Sequence, residues 1–128
     1  MFRIVIADDE ETIRNGLKKL IESYKLNLSV IATAKDGTEA INAINKYHPE
    51  IILMDINMPF MNGLEVIKNI REKDKDVKII IISGYSQFEY AQKALELGVF
   101  NYILKPINYR NFKDILIKAM DSYSKRMW

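Results

Sequence analysis

The chain has 128 residues, 48% of them hydrophobic, which suits one domain with a buried core. Nineteen basic and 17 acidic residues leave a formal net charge of +2, and the basic residues are dispersed, which argues against a nucleic-acid-binding surface. The absence of cysteine excludes disulfides and thiolate metal sites, and the single histidine, His48, disfavours a histidine zinc site or a Ser-His-Asp triad.

Along the chain, apolar residues switch between short continuous runs and helical spacing, which predicts five strand–helix pairs. The predicted strands are residues 2–7, 28–34, 51–54, 79–82 and 102–104. The predicted helices carry apolar stripes at residues 13–24, 40–47, 64–70, 86–97 and 112–123. Pro49 should end the second helix, and Gly98 should close the fourth as the residue after its C-cap.

The predicted strands are continuously apolar rather than alternating, which indicates that both faces of the sheet are buried. Right-handed crossovers then place helices on both sides of a parallel sheet. We therefore predict the α/β class, with a doubly wound, flavodoxin-like sheet of five parallel strands in the order 2-1-3-4-5. Ligands of such folds bind beyond the carboxyl ends of the strands, at the switch point between the first and third strands.

Polar residues stand at the carboxyl ends of four of these apolar runs. They are Asp8, Asp9, Asp55, Ser83 and Lys105. Since parallel strands end at the same edge of a sheet, we expect these side chains to meet there. Adjacent strands lie ~4.8 Å apart, so three carboxylates would repel each other unless a cation joins them. An all-oxygen set of ligands favours Mg²⁺, or alternatively Mn²⁺, over zinc.

The acids also have ordinary structural explanations. Residues 8–11 are all acidic, which by itself favours the N-terminus of the first helix, and we expect Glu10 and Glu11 to do only that. Asp55 by itself would be a turn residue that closes a strand. Its place on the strand next to Asp8 and Asp9 favours a functional role, since carboxylates serve as nucleophiles in aspartyl-phosphate chemistry.

Ser83 and Lys105 would likewise be a solvated hydroxyl and a surface charge if each stood alone. At the end of the fourth strand, Ser83 can donate a hydrogen bond to a phosphoryl oxygen, and Gly84 lets the backbone approach closely. Lys105 lies two strands from Asp55, ~10 Å away on the same spacing, which a lysine stem largely covers. Pro106 permits a cis peptide bond that would aim Lys105 inward.

Together these residues resemble the response regulator receiver domain of two-component signalling, over residues 3–123. The pieces that match in order are Asp8-Asp9-Glu10, Asp55 with Met58-Pro59 and Gly63, Ser83-Gly84 and Lys105-Pro106. Three departures stay within the family pattern: Ser83 stands where threonine is commoner, Gly84 where alanine is common, and Asn62 where aspartate often precedes the glycine.

The resemblance implies that Asp55 accepts a phosphoryl group from the phosphohistidine of a sensor histidine kinase. It implies Mg²⁺ held by the carboxylates of Asp9 and Asp55 and by the backbone carbonyl of Asn57, with Asp8 acting through water. Catalysis would then be positioning and charge neutralisation. The domain would promote its own phosphorylation and its own hydrolysis, as a switch rather than a metabolic enzyme.

The resemblance also assigns Ser83 and Lys105 to the phosphoryl oxygens, and Ser83 and Tyr102 to the switch. As Ser83 moves toward the phosphoryl group it vacates space into which the ring of Tyr102 turns. By itself, Tyr102 would be an ordinary strand aromatic. The output face would be the fourth helix, fifth strand and fifth helix, and a homodimer through this face is a further expectation.

Residues 83–91 resemble, more particularly, receivers joined to AraC-type helix-turn-helix DNA-binding domains. We expect the receiver domain to cover residues 1–124. Residues 125–128 then begin a linker or a dimer contact, or mark the point at which the chain was cut from a longer regulator, and we favour the cut. The implied partners are the histidine kinase and that output domain. We expect a cytoplasmic location, no direct contact of this domain with nucleic acid and no membrane span, since no apolar run approaches ~20 residues.

Three other interpretations fit less well. A haloacid-dehalogenase-type phosphatase wants a second aspartate two residues after its nucleophile, where this chain has Asn57, and a cap domain. An FMN-binding flavodoxin-like protein needs a hydroxyl-rich phosphate loop after the first strand, where this chain has acids. An interaction module that no longer uses phosphate would not need the intact set of site residues.

Tyr85, two residues after Ser83, is predicted to obstruct the water that attacks the aspartyl-phosphate and so to lengthen its lifetime. Tyr85→Ala should therefore raise the rate of hydrolysis, measured as the loss of phosphorylated protein after the donor is removed. A rate equal to that of the parent would show that Tyr85 does not screen the site.

Overall fold

A parallel sheet flanked by helices forms the described part of the computed structural model, residues 1–56, 58, 63–84 and 88–126. The strands are β1 (Phe2–Ala7), β2 (Leu28–Ala34), β3 (Ile51–Asp55), β4 (Lys78–Ser83) and β5 (Asn101–Leu104). The helices are α1 (Glu11–Ser23), α2 (Gly37–Tyr47), α3 (Gly63–Lys73), α4 (Phe88–Glu96) and α5 (Tyr109–Arg126). No helix of the described ranges is long and apolar enough to cross a membrane.

The five strands are all parallel and lie in the order β2-β1-β3-β4-β5, which confirms the predicted fold class and topology. Neighbouring strands pair along the centre of the sheet: Ala7 of β1 lies opposite Met54 of β3, and Asp55 lies opposite Ile82 of β4. Ser83 lies opposite Leu104 of β5. The polar residues that follow or end these strands therefore occupy one edge.

Two apolar cores, one on each face of the sheet, explain why the central strands are continuously apolar. The core under α1 and α5 includes Leu17, Ile21, Phe112, Leu116 and Ala119, with alternate residues of β1, β3 and β4. The core under α2, α3 and α4 includes Ala40, Ile44, Val66, Ile67, Ile70 and Ala94, with the intervening strand residues. Burial on both faces leaves the strand ends as the places where polar side chains can cluster.

The observed strands β3 and β4 run one residue further than the apolar pattern predicts, to Asp55 and Ser83. Backbone pairing with the neighbouring strand continues through both residues, although their side chains are polar. The two functional candidates are thus held by the sheet itself rather than by a loop. The predicted start of the fourth helix at residue 86 lies outside the described residues, and the observed helix begins at Phe88.

Gly98 closes α4 as predicted, with a positive φ of 75°. The N–H groups of Gly98 and Val99 donate to the carbonyls of Leu95 and Ala94, at 3.0 and 3.2 Å. This C-terminal turn leads directly into β5, which carries Tyr102 and ends one residue before Lys105.

Two arginines tie the connections at the amino edge of the sheet, opposite the polar edge. The guanidinium of Arg3 donates to the two carbonyls that end α2 and pairs with Glu50 at 2.8 Å. The guanidinium of Arg71 donates to four carbonyls of the α3–β4 and α4–β5 turns, those of Asp74, Val77, Leu97 and Gly98. Charge-assisted hydrogen bonds of this kind hold this edge in one arrangement.

Gly63, the first residue of α3, allows this helix to begin in close contact with the backbone that follows β3. Its N–H donates to the carbonyl of Ile56 at 2.6 Å. A methyl group added at Gly63 would lie 2.6 Å from Ile56 Cα and 3.1 Å from the carbonyl oxygen of Asp55. Both neighbours are backbone atoms, so this position requires glycine if Asp55 is to keep its place.

Gly63→Ala is expected to lower the free energy of unfolding by about 1–3 kcal/mol, because the backbone after Asp55 must shift to admit the methyl group. Urea denaturation measures the change. Gly16→Ala is the matched control: Gly16 lies within α1 and has no atom within 4 Å of an added methyl group. That variant should be as stable as the parent or more so, by roughly 0.5–1 kcal/mol. Equal stability of Gly63→Ala and the parent would contradict the steric argument.

Candidate functional site

Three carboxylates converge at the carboxyl edge of the sheet. Asp8 and Asp9 follow β1, and Asp55 ends the adjacent strand β3. One carboxylate oxygen from each residue lies within 4.8 Å of the other two. Asp8 is 2% exposed and Asp55 9%, whereas Asp9 is exposed. Two of the three negative charges are thus largely withdrawn from water and need compensation within the protein or from a bound cation.

Asp8 shows the electrostatic cost of this cluster most clearly. Burial, followed by the charges of Asp55 and Asp9, raises the pKa of its carboxyl from 3.8 to about 6. The backbone N–H of Glu10, which donates to Asp8 Oδ1 at 2.9 Å, and the charge of Lys105 both oppose that rise. The carboxylate form of Asp8 is therefore only partly compensated by protein groups, which favours a cation beside it.

Lys105, the residue after β5, supplies a positive charge from the side of Asp55 opposite to β1. Its Nζ lies 3.2 Å from Asp55 Oδ2 and 3.6 Å from Asp8 Oδ2. Burial lowers the pKa of Lys105, but the charges of Asp55 and Asp8 outweigh it and leave the pKa above its usual value. The Lys105–Pro106 peptide bond is cis, and the ammonium points toward the acids. Lys105 is thus held in its charged form between two carboxylates.

Ser83 and Tyr102 lie next to this group on β4 and β5. Ser83 is fully buried, one residue past the partner of Asp55, and its carbonyl accepts the backbone N–H of Lys105 at 2.9 Å. Tyr102 lies opposite Ile81, and its ring packs, partly buried, against the core under α2, α3 and α4. The two residues thus lie on neighbouring strands, Ser83 beside the strand of Asp55 and Tyr102 against the core that α4 helps to cover.

The structure brings together five of the predicted site residues: Asp8, Asp9, Asp55, Ser83 and Lys105. Asn57 and Tyr85 lie outside the described residues. The sequence does not predict one further contact: Arg14 of α1 donates from Nη1 to the backbone carbonyl of Asp8 at 2.8 Å. Nothing in the sequence distinguishes Arg14 from the lysines that follow it on the same helix, because the contact depends on how α1 folds back over β1.

The carboxylate oxygens of this cluster are suitable ligands for a hard divalent cation. Every side-chain donor in the cluster is a carboxylate oxygen, from Asp8, Asp9 and Asp55, and the donors are spaced for one ion to contact. Oxygen sets of this kind suit Mg²⁺ or Mn²⁺. A carboxylate between such a cation and the ammonium of Lys105 can attack phosphorus, because both positive charges would neutralise the phosphoryl oxygens.

Comparison with known proteins places this arrangement in a family. Residues 4–117 match the family model described as the response regulator receiver domain. The transcriptional regulatory protein HptR of Staphylococcus aureus is 40% identical over 116 residues, covering 91% of this chain and 45% of that protein. The uncharacterized transcriptional regulatory protein YesN of Bacillus subtilis is 42% identical over 132 residues, covering 98% of this chain and 36% of that protein. The chain thus spans less than half the length of these relatives.

Solved structures agree with this match. The REC domain of AraT, a response regulator from Geobacillus stearothermophilus, superimposes with a TM-score of 0.90 at 34% identity, covering 99% of this chain and 98% of that one. The response regulator domain of Thermotoga maritima CheB gives a TM-score of 0.83 at 30% identity, covering 97% of each chain.

The raised pKa of Asp8 predicts a stability that depends on pH when a chelator removes divalent cations. Because the folded protein binds this proton more tightly than the unfolded chain, the stabilisation is complete below pH 3.8 and is lost as the pH rises through about 6. Asp8→Asn, which mimics the protonated form, should raise the free energy of unfolding at pH 8 by about 2–3 kcal/mol.

That gain should shrink as the pH falls from 6 toward 4, and urea denaturation at several pH values would measure it. Asp121→Asn, which removes an exposed carboxylate on α5, is the control and should show no such trend. An Asp8→Asn variant that is less stable than the parent at pH 8 would contradict the assigned cause.

Proposed function

The chain belongs to the response regulator receiver domain family of two-component signalling, and from this we propose that Asp55 is its phosphoacceptor. The observation that carries the proposal is the position of the Asp55 carboxylate, within 4.8 Å of oxygens of Asp8 and Asp9 and 3.2 Å from Lys105 Nζ. Among the described residues, this carboxylate alone lies at once in the acidic cluster and at the end of a central strand between two others.

In the proposed reaction, a carboxylate oxygen of Asp55 attacks the phosphorus of a phosphohistidine on a sensor histidine kinase. The new P–O bond forms as the P–N bond breaks, which leaves an acyl phosphate on Asp55 and returns the histidine to the kinase. Attack of water on the same phosphorus later releases inorganic phosphate and restores the carboxylate. The domain thereby promotes both its phosphorylation and its hydrolysis, as a switch rather than a metabolic enzyme.

We assign the cation site to the carboxylates of Asp9 and Asp55 and the backbone carbonyl of Asn57, with Asp8 acting through water. Mg²⁺, or Mn²⁺, bound there would offset the charge of the phosphoryl oxygens. The partly compensated carboxylate of Asp8 supports this assignment, since a cation would lower the repulsion that raises its pKa. Asn57 itself lies outside the described residues.

Lys105 and Ser83 complete the proposed site as ligands of the phosphoryl oxygens. Lys105 already contacts Asp55, so it can exchange a carboxylate oxygen for a phosphoryl oxygen with a small movement. Ser83 lies on the strand next to Asp55. Its displacement toward the phosphoryl group would open space beside β5 for the ring of Tyr102, which is only partly buried. This pair is the proposed two-state switch.

The output of the switch is proposed to leave through α4, β5 and α5. Leu95 of α4 and Leu104 of β5 are 65% and 47% exposed, which suits a face that contacts a partner. We propose a homodimer through this face and control of a C-terminal AraC-type helix-turn-helix domain. The longer transcriptional regulators among the relatives support an output domain of this general kind.

In this proposal, residues 1–124 are the receiver domain and residues 125–128 begin a linker. The phosphoryl donor and the DNA both require the protein to work in the cytoplasm, where the kinase presents its phosphohistidine. The receiver itself contacts neither nucleic acid nor membrane in this scheme.

Incubation with Mg²⁺ and a small phosphodonor such as acetyl phosphate should add one phosphoryl group to the protein. Mass spectrometry of the intact protein would detect the added mass. Asp55→Asn should lose this adduct almost completely, because the nucleophilic oxygen pair is gone. Asp121→Asn, an exposed carboxylate on α5, should keep it. An adduct that persists in Asp55→Asn, or a folded parent that takes up phosphate from no donor, would overturn the assignment.

A further inference from the structure

Arg14 connects α1 to the end of β1 through a backbone contact. It lies one turn into α1, where its N–H donates to the carbonyl of Glu10 at 3.0 Å. Its guanidinium reaches back, and Nη1 donates to the backbone carbonyl of Asp8 at 2.8 Å. That carbonyl belongs to the peptide group that joins Asp8 to Asp9, so the contact sets the orientation of the peptide between two of the proposed metal ligands.

Asp8 is held through all of its hydrogen-bonding groups. Its N–H donates to the carbonyl of Ala34 at 3.0 Å, and its Oδ1 accepts the N–H of Glu10 at 2.9 Å. Its Oδ2 lies 3.6 Å from Lys105 Nζ. Arg14 occupies the remaining group, the backbone carbonyl, so Asp8 stays in place through its other contacts even without Arg14.

Asp9 is held differently. Its side chain is exposed, and in the described part of the chain no group donates a hydrogen bond to its carboxylate. The direction of this carboxylate therefore follows from the backbone, which two side chains restrain: Asp8 Oδ1 accepts the N–H of Glu10 after Asp9, and Arg14 donates to the Asp8 carbonyl before it.

We propose that Arg14 is a positioning residue for the divalent cation: by fixing the Asp8–Asp9 peptide, it keeps the Asp9 carboxylate turned toward Asp55. The inference rests on the proposed metal-dependent function of the same site. A residue that contacts a metal ligand without binding the metal orients that ligand. Removing such a residue commonly lowers metal affinity by about 10–100-fold. Arg14 acts on the ligand through a backbone carbonyl rather than through a ligand side chain.

The direction of the change in cation affinity distinguishes a positioning role of Arg14 from an effect of its charge. A positive charge near a cation site repels the cation, so a guanidinium that acted only through its charge would weaken binding, and its removal would strengthen binding. The ammonium of Lys105 lies 3.6 Å from Asp8 Oδ2 and 3.2 Å from Asp55 Oδ2, whereas Arg14 contacts a backbone carbonyl. Lys105, not Arg14, is thus the cation that compensates the carboxylates.

The test is a titration with Mn²⁺ alone, because Mn²⁺ shares the preference of Mg²⁺ for oxygen ligands. The electron paramagnetic resonance signal of the free ion reports how much Mn²⁺ is bound. Arg14→Met should weaken Mn²⁺ binding by about 10-fold. Lys18→Met removes the same charge from an exposed position on α1 and should leave the affinity unchanged or slightly tighter. Arg14→Ala replaces Arg14→Met if the latter does not fold, as judged by thermal unfolding without metal.

A second measurement separates affinity from chemistry. At saturating Mg²⁺, phosphorylation of Arg14→Met should approach the parent rate, because excess cation restores occupancy of the site. A rate that stays low at saturation while Mn²⁺ affinity is unchanged would overturn the positioning role.

Two controls keep this inference distinct from the proposed function. The substitution Asp9→Asn, made in the otherwise unchanged protein, should abolish most Mn²⁺ binding. A folded parent that binds no Mn²⁺ would overturn the proposed metal site itself. If the parent binds Mn²⁺ and loses it in Asp9→Asn, but Arg14→Met binds equally or more tightly, only the inference on Arg14 fails.

Discussion

The close approach of three carboxylates at one edge of the sheet is the constraint on which the rest of this structure depends. Asp8 and Asp55 are almost fully buried, and among the residues that the structure describes it is the ammonium of Lys105 that forms salt bridges with both of them. One positive charge does not compensate three negative ones, and the raised pKa of Asp8 reports the remaining cost. The site therefore favours further positive charge, which a divalent cation would supply.

The strand order creates this constraint. Because β1 and β3 are neighbours although they are not consecutive in the chain, Asp8 and Asp9 meet Asp55 across the switch point of the sheet. The opposite edge is of a different kind: Arg3 and Arg71 hold its turns through hydrogen bonds to backbone carbonyls. Hydrogen bonds thus stabilise the turns of this edge, whereas the carboxylates at the other edge repel each other. A bound cation would lower that repulsion.

The same edge holds the residues of the proposed switch. The backbone N–H of Lys105 donates to the carbonyl of Ser83, and Tyr102 lies on β5, which ends one residue before Lys105. A shift of one of these residues would therefore displace the others. Since packed interiors favour discrete arrangements over gradual deformation, such a group of neighbours suits a two-state response. Its outer side carries the exposed leucines of α4 and β5.

The class of the fold, the strand order and the meeting of Asp8, Asp55 and Lys105 could all be predicted from the sequence, because apolar periodicity and strand-end positions are local patterns that topology rules convert into neighbours. The contact of Arg14 with the Asp8 carbonyl, the steric need for Gly63 and the raised pKa of Asp8 could not, and they emerge only in the folded structure. Those features depend on how closely α1 and α3 approach the strand ends and on how much water remains there. Distances and burial of this kind arise from packing between segments remote in the chain, and no local pattern records them.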